Sequence, residues 1–261
     1  MYIRYGVADK IATITLDRPE VANAQNGELL DELDVAWSRA AADDEVAVIV
    51  LRGEGKHFSA GHDLRGSSSA ESEKVTLERI YRNESRRYLD YSLRWRNVPK
   101  PSIAAVQGRC IAGGLLLCWP CDLIVAAEDA LFSDPVVLMG IGGVEYHGHT
   151  WELGARKAKE ILFTGRAVTA HEAEQVGMVN MVVPRGQLDA QSRALAARIA
   201  RMPAFGLRQA KRAVNQTLDV QGFYAAIQSV FDVHATGHGN ALSVNGNAVL
   251  LGLDGMKQAI E

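Results

Sequence analysis

The stretch PKPSIAAVQGRCIAGGLLLCWPCDLIVAAED, Pro99 to Asp129, decides how this chain is read. It holds two apolar runs, SIAAVQG and DLIVAAED, that read as strands, and between them a glycine pair followed by LLLC. The prolines ahead of the first run stop any helix that precedes it. Gly113 and Gly114 mark a turn into a short helix. The first amides of a helix have no partner within it and face the positive end of its dipole, so negative charge is stabilised there. CWPC, Cys118 to Cys121, has the spacing of a redox dithiol. Such a pair needs a thiolate held at a helix start, whereas this one runs directly into a strand. No second ligand pair has zinc-site spacing. The three cysteines, Cys110, Cys118 and Cys121, are therefore expected to be small buried apolar residues.

Working outward, IATITL alternates as a strand, DRPE is a turn, and a helix is expected from about Asn26 to Ala42. VAVIVLRG is a continuous apolar run ending in glycine, as in a strand buried on both faces. The Gly- and Ser-bearing EGKHFSAGHDLRGSSSAES reads as a surface connection, and residues 73–97 as a long helix ended by VPKP. Helices are expected near 145–162, 171–176 and 188–202 and onward to the end, with MVNMVVP as a strand between them. This order specifies an α/β fold, with a core over 1–195 and a helical region over 196–261. Helices that cannot all cover one sheet pack against another subunit, so an oligomer is expected.

The 261 residues, 48% of them apolar, suffice for one large domain. A net charge of −3 gives no general pull toward nucleic acid or anionic membranes. MYIRYGVADK lacks the features of a signal peptide and no apolar run is long enough to span a bilayer, so a cytoplasmic location is expected.

Two segments, SAGHDL and CIAGGLLL, place backbone amides where an anion can be held, with glycine permitting close approach. Together with RPEVANAQN, FSAGHDL, CDLIVAAEDALFSDP and GARKAKEILFTGRAVTAHEAEQVGMVNMVVP, in that order along the chain, they make it resemble the crotonase, or enoyl-CoA hydratase/isomerase, superfamily. The resemblance implies a spiral of β-β-α units, a C-terminal helical trimerisation region, and homotrimers or hexamers built as dimers of trimers. It also implies acyl-CoA thioester substrates, with fatty acid metabolism as the setting. The amides of His62 and Gly113 would form an oxyanion hole for a thioester enolate. Val21, Ala22, Ala24, Ala60, His62, Asp63, Leu64 and Gly114 would bind the substrate, largely through backbone atoms. No cofactor and no metal are implied, CoA being part of the substrate.

The pattern breaks at the acid–base positions. Hydratases of this superfamily use two glutamates, which fall here on Leu116 and Val136, and neither side chain can move a proton. Glu145 lies where some members carry a catalytic aspartate and is the preferred base. It sits in GGVEYHGHTWE beside Tyr146, His147, His149 and Glu152, and His147 is a second candidate, although a helix start rich in polar residues would look the same. Asp134 either reaches the pocket edge or holds a turn with Pro135. His147 and His149 lack a third ligand at diagnostic spacing. His234 and His238, in HATGHGNALSVNGN, read as solvated residues at a helix boundary. Related decarboxylases share AGHD at His62, so cleavage of a thioester-activated bond stands as an alternative, as does acyl-CoA binding without catalysis.

Overall fold

Strand β1 (Ile3–Ala8) turns back antiparallel on β2 (Ile11–Leu16), in a computed structural model that describes residues 1–64 and 75–260. Every later pairing in the main sheet is parallel, so each needs a crossover over one face. Helix α1 (Gly27–Ala42) makes the first crossover, to β3 (Val48–Gly53). The side chain of Asn26 accepts from the Leu29 N–H, which fixes where α1 begins. The second crossover runs through α2 (Leu77–Glu84), a π-helical turn over Ser85–Asp90 and α3 (Tyr91–Arg96), to β4 (Ser102–Val106). The expected start of this helix at residue 73 lies outside the described residues.

Next come β5 (Arg109–Ile111), the single turn Ala112–Gly114, α4 (Leu115–Cys118), β6 (Leu123–Ala127) and β7 (Leu131–Ser133). They are followed by α5 (His149–Leu153), α6 (Ala155–Thr164), β8 (Val168–Thr169), α7 (Ala170–Gln175) and β9 (Met181–Val183). The main sheet has the order β1-β2-β3-β4-β6-β9 and a smaller one the order β5-β7-β8. Alternate residues of the parallel strands go to opposite faces. Ile49, Leu51, Ala104, Val106, Ile124 and Ala126 join Leu29, Leu33 and Trp37 of α1 in the larger core. Val48, Val50, Ile103, Ala105 and Val125 pack on the other face against Leu188 and Ala196 of α8 (Leu188–Ile199). α8 thus runs unbroken through residue 195, covering the sheet before the chain leaves it.

The C-terminal region continues as α9 (Ala204–Val220), α10 (Phe223–Asn245) and α11 (Leu253–Ile260). No helix among the described residues is long and apolar enough to cross a membrane. Two expectations need correction. Residues 145–162 are not one helix: a loop persists to Gly148, and Gly154, at φ +74°, separates α5 from α6. His234 and His238 are not solvated at a helix boundary but buried in the interior of α10.

Candidate active site

The site is assembled from two glycine turns at the ends of neighbouring parallel segments. Beyond β3 the chain pairs at Ser59 with β5: the Ser59 N–H donates to the Arg109 carbonyl (3.2 Å) and the Ile111 N–H to the Ser59 carbonyl (3.0 Å). Gly61, at φ +85°, then redirects it. The Gln25 N–H donates to the Gly61 carbonyl and the Asp63 N–H to the Gln25 carbonyl, both at 2.8 Å. In a parallel bridge of this kind the residue between the two bonds turns its own N–H and C=O away from the partner. The His62 amide therefore faces away from Gln25.

The turn of residues 111–113 lies close by. A Cβ on Gly61 would stand 2.6 Å from the Ile111 carbonyl oxygen and 3.2 Å from the Gly113 nitrogen. A Cβ on Gly113 would come 2.6 Å from Cδ2 of His62 and 2.9 Å from Oε1 of Gln25. Glycine is required at both places because the two turns leave no room for a side chain. Gly113 is near the start of the turn leading into α4, so its amide is one of the unpaired helix-start donors. Ala112 holds this turn at φ +46°, a strained conformation for a residue with a Cβ.

The imidazole of His62 covers Gly113, packs on Tyr88 with ring centroids 4.0 Å apart, and brings Nε2 to 3.3 Å from Oε1 of Glu145. Glu145 is completely buried. Its contact with His62 is close enough for an ion pair but misaligned for a hydrogen bond, and neither carboxylate oxygen accepts one from the described residues. A buried carboxylate held this loosely is available for chemistry. Tyr88, buried beside Glu145, has its hydroxyl pushed up, chiefly by burial and then by the negative charge of Glu145. Nothing in the sequence around Tyr88 signals this position, because its partners lie far away in the chain.

The substrate-binding candidates gather on one edge. Ala22 and Asn23 adopt left-handed conformations (φ +53° and +54°), and the Ala60 N–H donates to the Ala22 carbonyl (2.8 Å). The guanidinium of Arg18 ties the two segments together, donating to the Ala24 carbonyl (2.6 Å) and to Oδ2 of Asp63 (3.1 Å). Val21, Ala22, Ala24, Ala60, Asp63 and Leu64 thus sit on two braced segments that lead to His62. Gly114 packs beneath them, where a Cβ would be 2.9 Å from the Ser59 carbonyl oxygen.

Two candidates are placed otherwise. Asp134 is fully buried and accepts from the N–H groups of Val144 (2.9 Å) and Val136 (3.4 Å), so it holds the loop carrying Glu145 instead of reaching a pocket edge. Burial, the largest influence on its carboxyl, acts upward, but His149 and these two amides outweigh it and hold Asp134 below the usual range. His147 packs against His149 with the rings tilted and their centroids 4.3 Å apart, and burial followed by the neighbouring His149 pushes it down to about 4. It is neutral at pH 7. No hydrogen bond, ion pair or ring contact joins it to His62 or Glu145 among the described residues. Leu116 and Val136 are buried in the larger apolar core. The thiols of Cys118 and Cys121 are buried and raised well above the ordinary range by loss of solvation, which is the opposite of a reactive dithiol.

Comparisons with known proteins agree with this architecture. The sequence model of the enoyl-CoA hydratase/isomerase family matches residues 6–237. A crystal structure of a probable enoyl-CoA hydratase from Mycobacterium smegmatis superposes with a TM-score of 0.93 at 77% identity, covering 97% of this chain and 100% of that one. Another, from Mycobacterium thermoresistibile, gives 0.93 at 79% identity over 95% and 99% of the two chains. A Mycobacterium bovis protein named probable enoyl-CoA hydratase echA8 is 34% identical over 217 residues, which is 80% of this chain and 79% of its own. With its two apposed glycine turns on a mixed α/β scaffold, the chain belongs to the enoyl-CoA hydratase/isomerase family.

Proposed function

We propose that this protein moves a proton at a carbon activated by a CoA thioester, with the enolate oxygen held by the amides of His62 and Gly113 and with Glu145 as the acid–base group. The observation that carries this reading is the apposition of the two turns, so close that a Cβ on Gly61 would stand 3.2 Å from the Gly113 nitrogen, next to a buried carboxylate that accepts no protein hydrogen bond among the described residues. Two fixed amides directed at one oxygen stabilise the charge that develops there and need no reorganisation during the reaction. His62 then has two parts: its N–H faces the oxygen, and its ring positions the Glu145 carboxylate. The braced segments 21–24 and 60–64 would hold the CoA moiety through backbone atoms, and no cofactor enters the reaction.

Leu116 and Val136 remove the two-glutamate route to hydration, which favours chemistry served by a single carboxylate, such as double-bond migration. One observation supports a second reading. The ring of His62 lies on the Gly113 turn, where it would meet an acyl carboxylate, so the same geometry also suits decarboxylation or cleavage of a malonyl-type ester. A homotrimer or hexamer is also part of the proposal. α9 buries none of its residues within the chain, and Phe205, Val214 and Val220 on it are exposed.

The test is a panel of enoyl-, dienoyl- and malonyl-type CoA esters, assayed with the wild type and with Glu145→Gln. Turnover of at least one ester by the wild type, lost in the variant, supports the proposal. Equal turnover by both removes Glu145 from its role, and binding without turnover of any ester favours a non-catalytic acyl-CoA-binding protein.

A further inference from the structure

A second group of chemistry-bearing side chains lies outside the thioester site. Glu84 closes α2, while His234 and His238 lie one helical turn apart on α10, and all three are buried. Three of their atoms converge. Nε2 of His234 is 3.1 Å from Oε2 of Glu84, Nε2 of His238 is 3.4 Å from the same oxygen, and the two Nε2 atoms are 3.3 Å apart.

The other nitrogen of each ring is engaged. Nδ1 of His234 is 2.7 Å from the Gly143 carbonyl oxygen and Nδ1 of His238 is 2.6 Å from that of Ala248. A carbonyl oxygen only accepts, so both Nδ1 atoms carry hydrogen. In the neutral rings, both Nε2 lone pairs then face each other and a carboxylate, which places three acceptors around one point. Such an arrangement needs a cation.

A single proton held at one corner of this triangle makes at most a bent, shared bond to the other two, and the three edges are nearly equal. An ion at the centre serves all three. The edge of a tetrahedron around zinc with bonds of roughly 2.0 Å is about 3.3 Å, close to the observed separations. Two histidines four residues apart on one helix face, with a carboxylate from another element, form a His₂Glu set that leaves a fourth position open. The Nδ1–H to carbonyl bonds are the outer contacts that fix metal-bound imidazoles.

We propose that Glu84, His234 and His238 bind one zinc ion. This departs from the expectation of no metal and does not depend on the thioester reading. The ion would join α2, α10 and the loop containing Gly143, which carries Glu145 two residues later. Two neutral imidazoles and one carboxylate leave a bound Zn²⁺ with one net positive charge, which would offset the buried charge of Glu145.

The experiment strips the full-length protein with a chelator and dialyses it against zinc or cobalt(II) at neutral pH. Metal per chain is measured by atomic emission, and the cobalt form by visible absorption. About one equivalent per chain is expected, with the visible bands of four- or five-coordinate cobalt. His238→Ala and Glu84→Gln should each weaken zinc binding by at least about 100-fold, as loss of a direct ligand should exceed the effect of losing an outer contact. Absence of stoichiometric zinc and of cobalt bands in the wild type would overturn the proposal and leave a proton as the shared cation. Folded variants that bind zinc as tightly as the wild type would overturn it as well. Should His238→Ala fail to fold, the wild-type cobalt spectrum and His238→Gln decide the matter.

Discussion

Replacing Glu145 with Gln separates the chemical role of this residue from any structural one. The amide preserves the size of the side chain but cannot take up a proton. A positioned acid–base group contributes typically about 10²–10⁴-fold, or roughly 2.7–5.4 kcal/mol at 1.36 kcal/mol per tenfold. We expect a loss of that size in kcat with little change in KM, because the 21–24 and 60–64 segments are untouched. Stability should behave oppositely. Neither oxygen of the fully buried carboxylate accepts a hydrogen bond from the described residues, so the substitution removes no such bond and keeps an oxygen or nitrogen opposite Nε2 of His62. The Gln amide is still a buried polar group without a partner, a cost of roughly 1–3 kcal/mol that the carboxylate bears at least equally, so the variant should be no less stable than the wild type. The assay pairs turnover of the active ester with a thermal melt, in which each kcal/mol shifts Tm by about 2–4 °C for a chain of this size. Turnover within threefold of wild type would refute the catalytic role. A fall in stability of several kcal/mol would show that the carboxylate is a strut.

Gly113→Ala places a methyl 2.6 Å from Cδ2 of His62, so the ring must leave its seat against Glu145. Overpacking of this kind costs about 1–3 kcal/mol, and a urea melt together with kcat/KM should show both the loss of stability and a loss of activity. Glu152, in a cavity of about 450 Å³ with Arg96, Tyr146, Lys211 and Phe223, is raised by burial from 4.5 to about 7. The folded state therefore holds a proton that the unfolded state releases, and the stability linked to it is full below pH 4.5 and lost as pH rises through 7. Glu152→Gln should accordingly gain Tm relative to wild type at pH 8 and show little difference at pH 4; an equal difference at both would contradict this. Arg18→Gln removes the guanidinium that joins Ala24 to Asp63 and should raise KM for acyl-CoA more than it lowers kcat, as read from initial rates.

Much of the geometry of the candidate site was legible because it rests on backbone demands that glycine records. Gly61 and Gly113 stand where a Cβ would collide with backbone or with the His62 ring, and sequence preserves such positions as glycine-bearing turns. The strands were legible for a similar reason, since burial on both faces leaves continuous apolar runs such as VAVIVLRG. The histidines of α10 were not. HATGHGN reads as a helix boundary because of its glycines, but a Cβ on Gly237 would stand 2.7 Å from the Gly140 carbonyl oxygen. That glycine lets α10 lie against the loop and does not end the helix. Glu84, the partner of His234 and His238, comes from α2, far away in the chain. The loop at 145 was hidden likewise: polar residues there look like a helix start, whereas the Asp134 carboxylate captures the Val144 amide and holds the segment open.

Infrared spectroscopy of a bound enoyl-CoA labelled with ¹³C at the thioester carbonyl examines the proposed oxyanion site directly. Two amides donating to the carbonyl oxygen weaken the C=O bond, so the labelled band should fall below its frequency in water, in Glu145→Gln as well as in the wild type. A band at the solution frequency or above it, with the ester fully bound, would contradict the account.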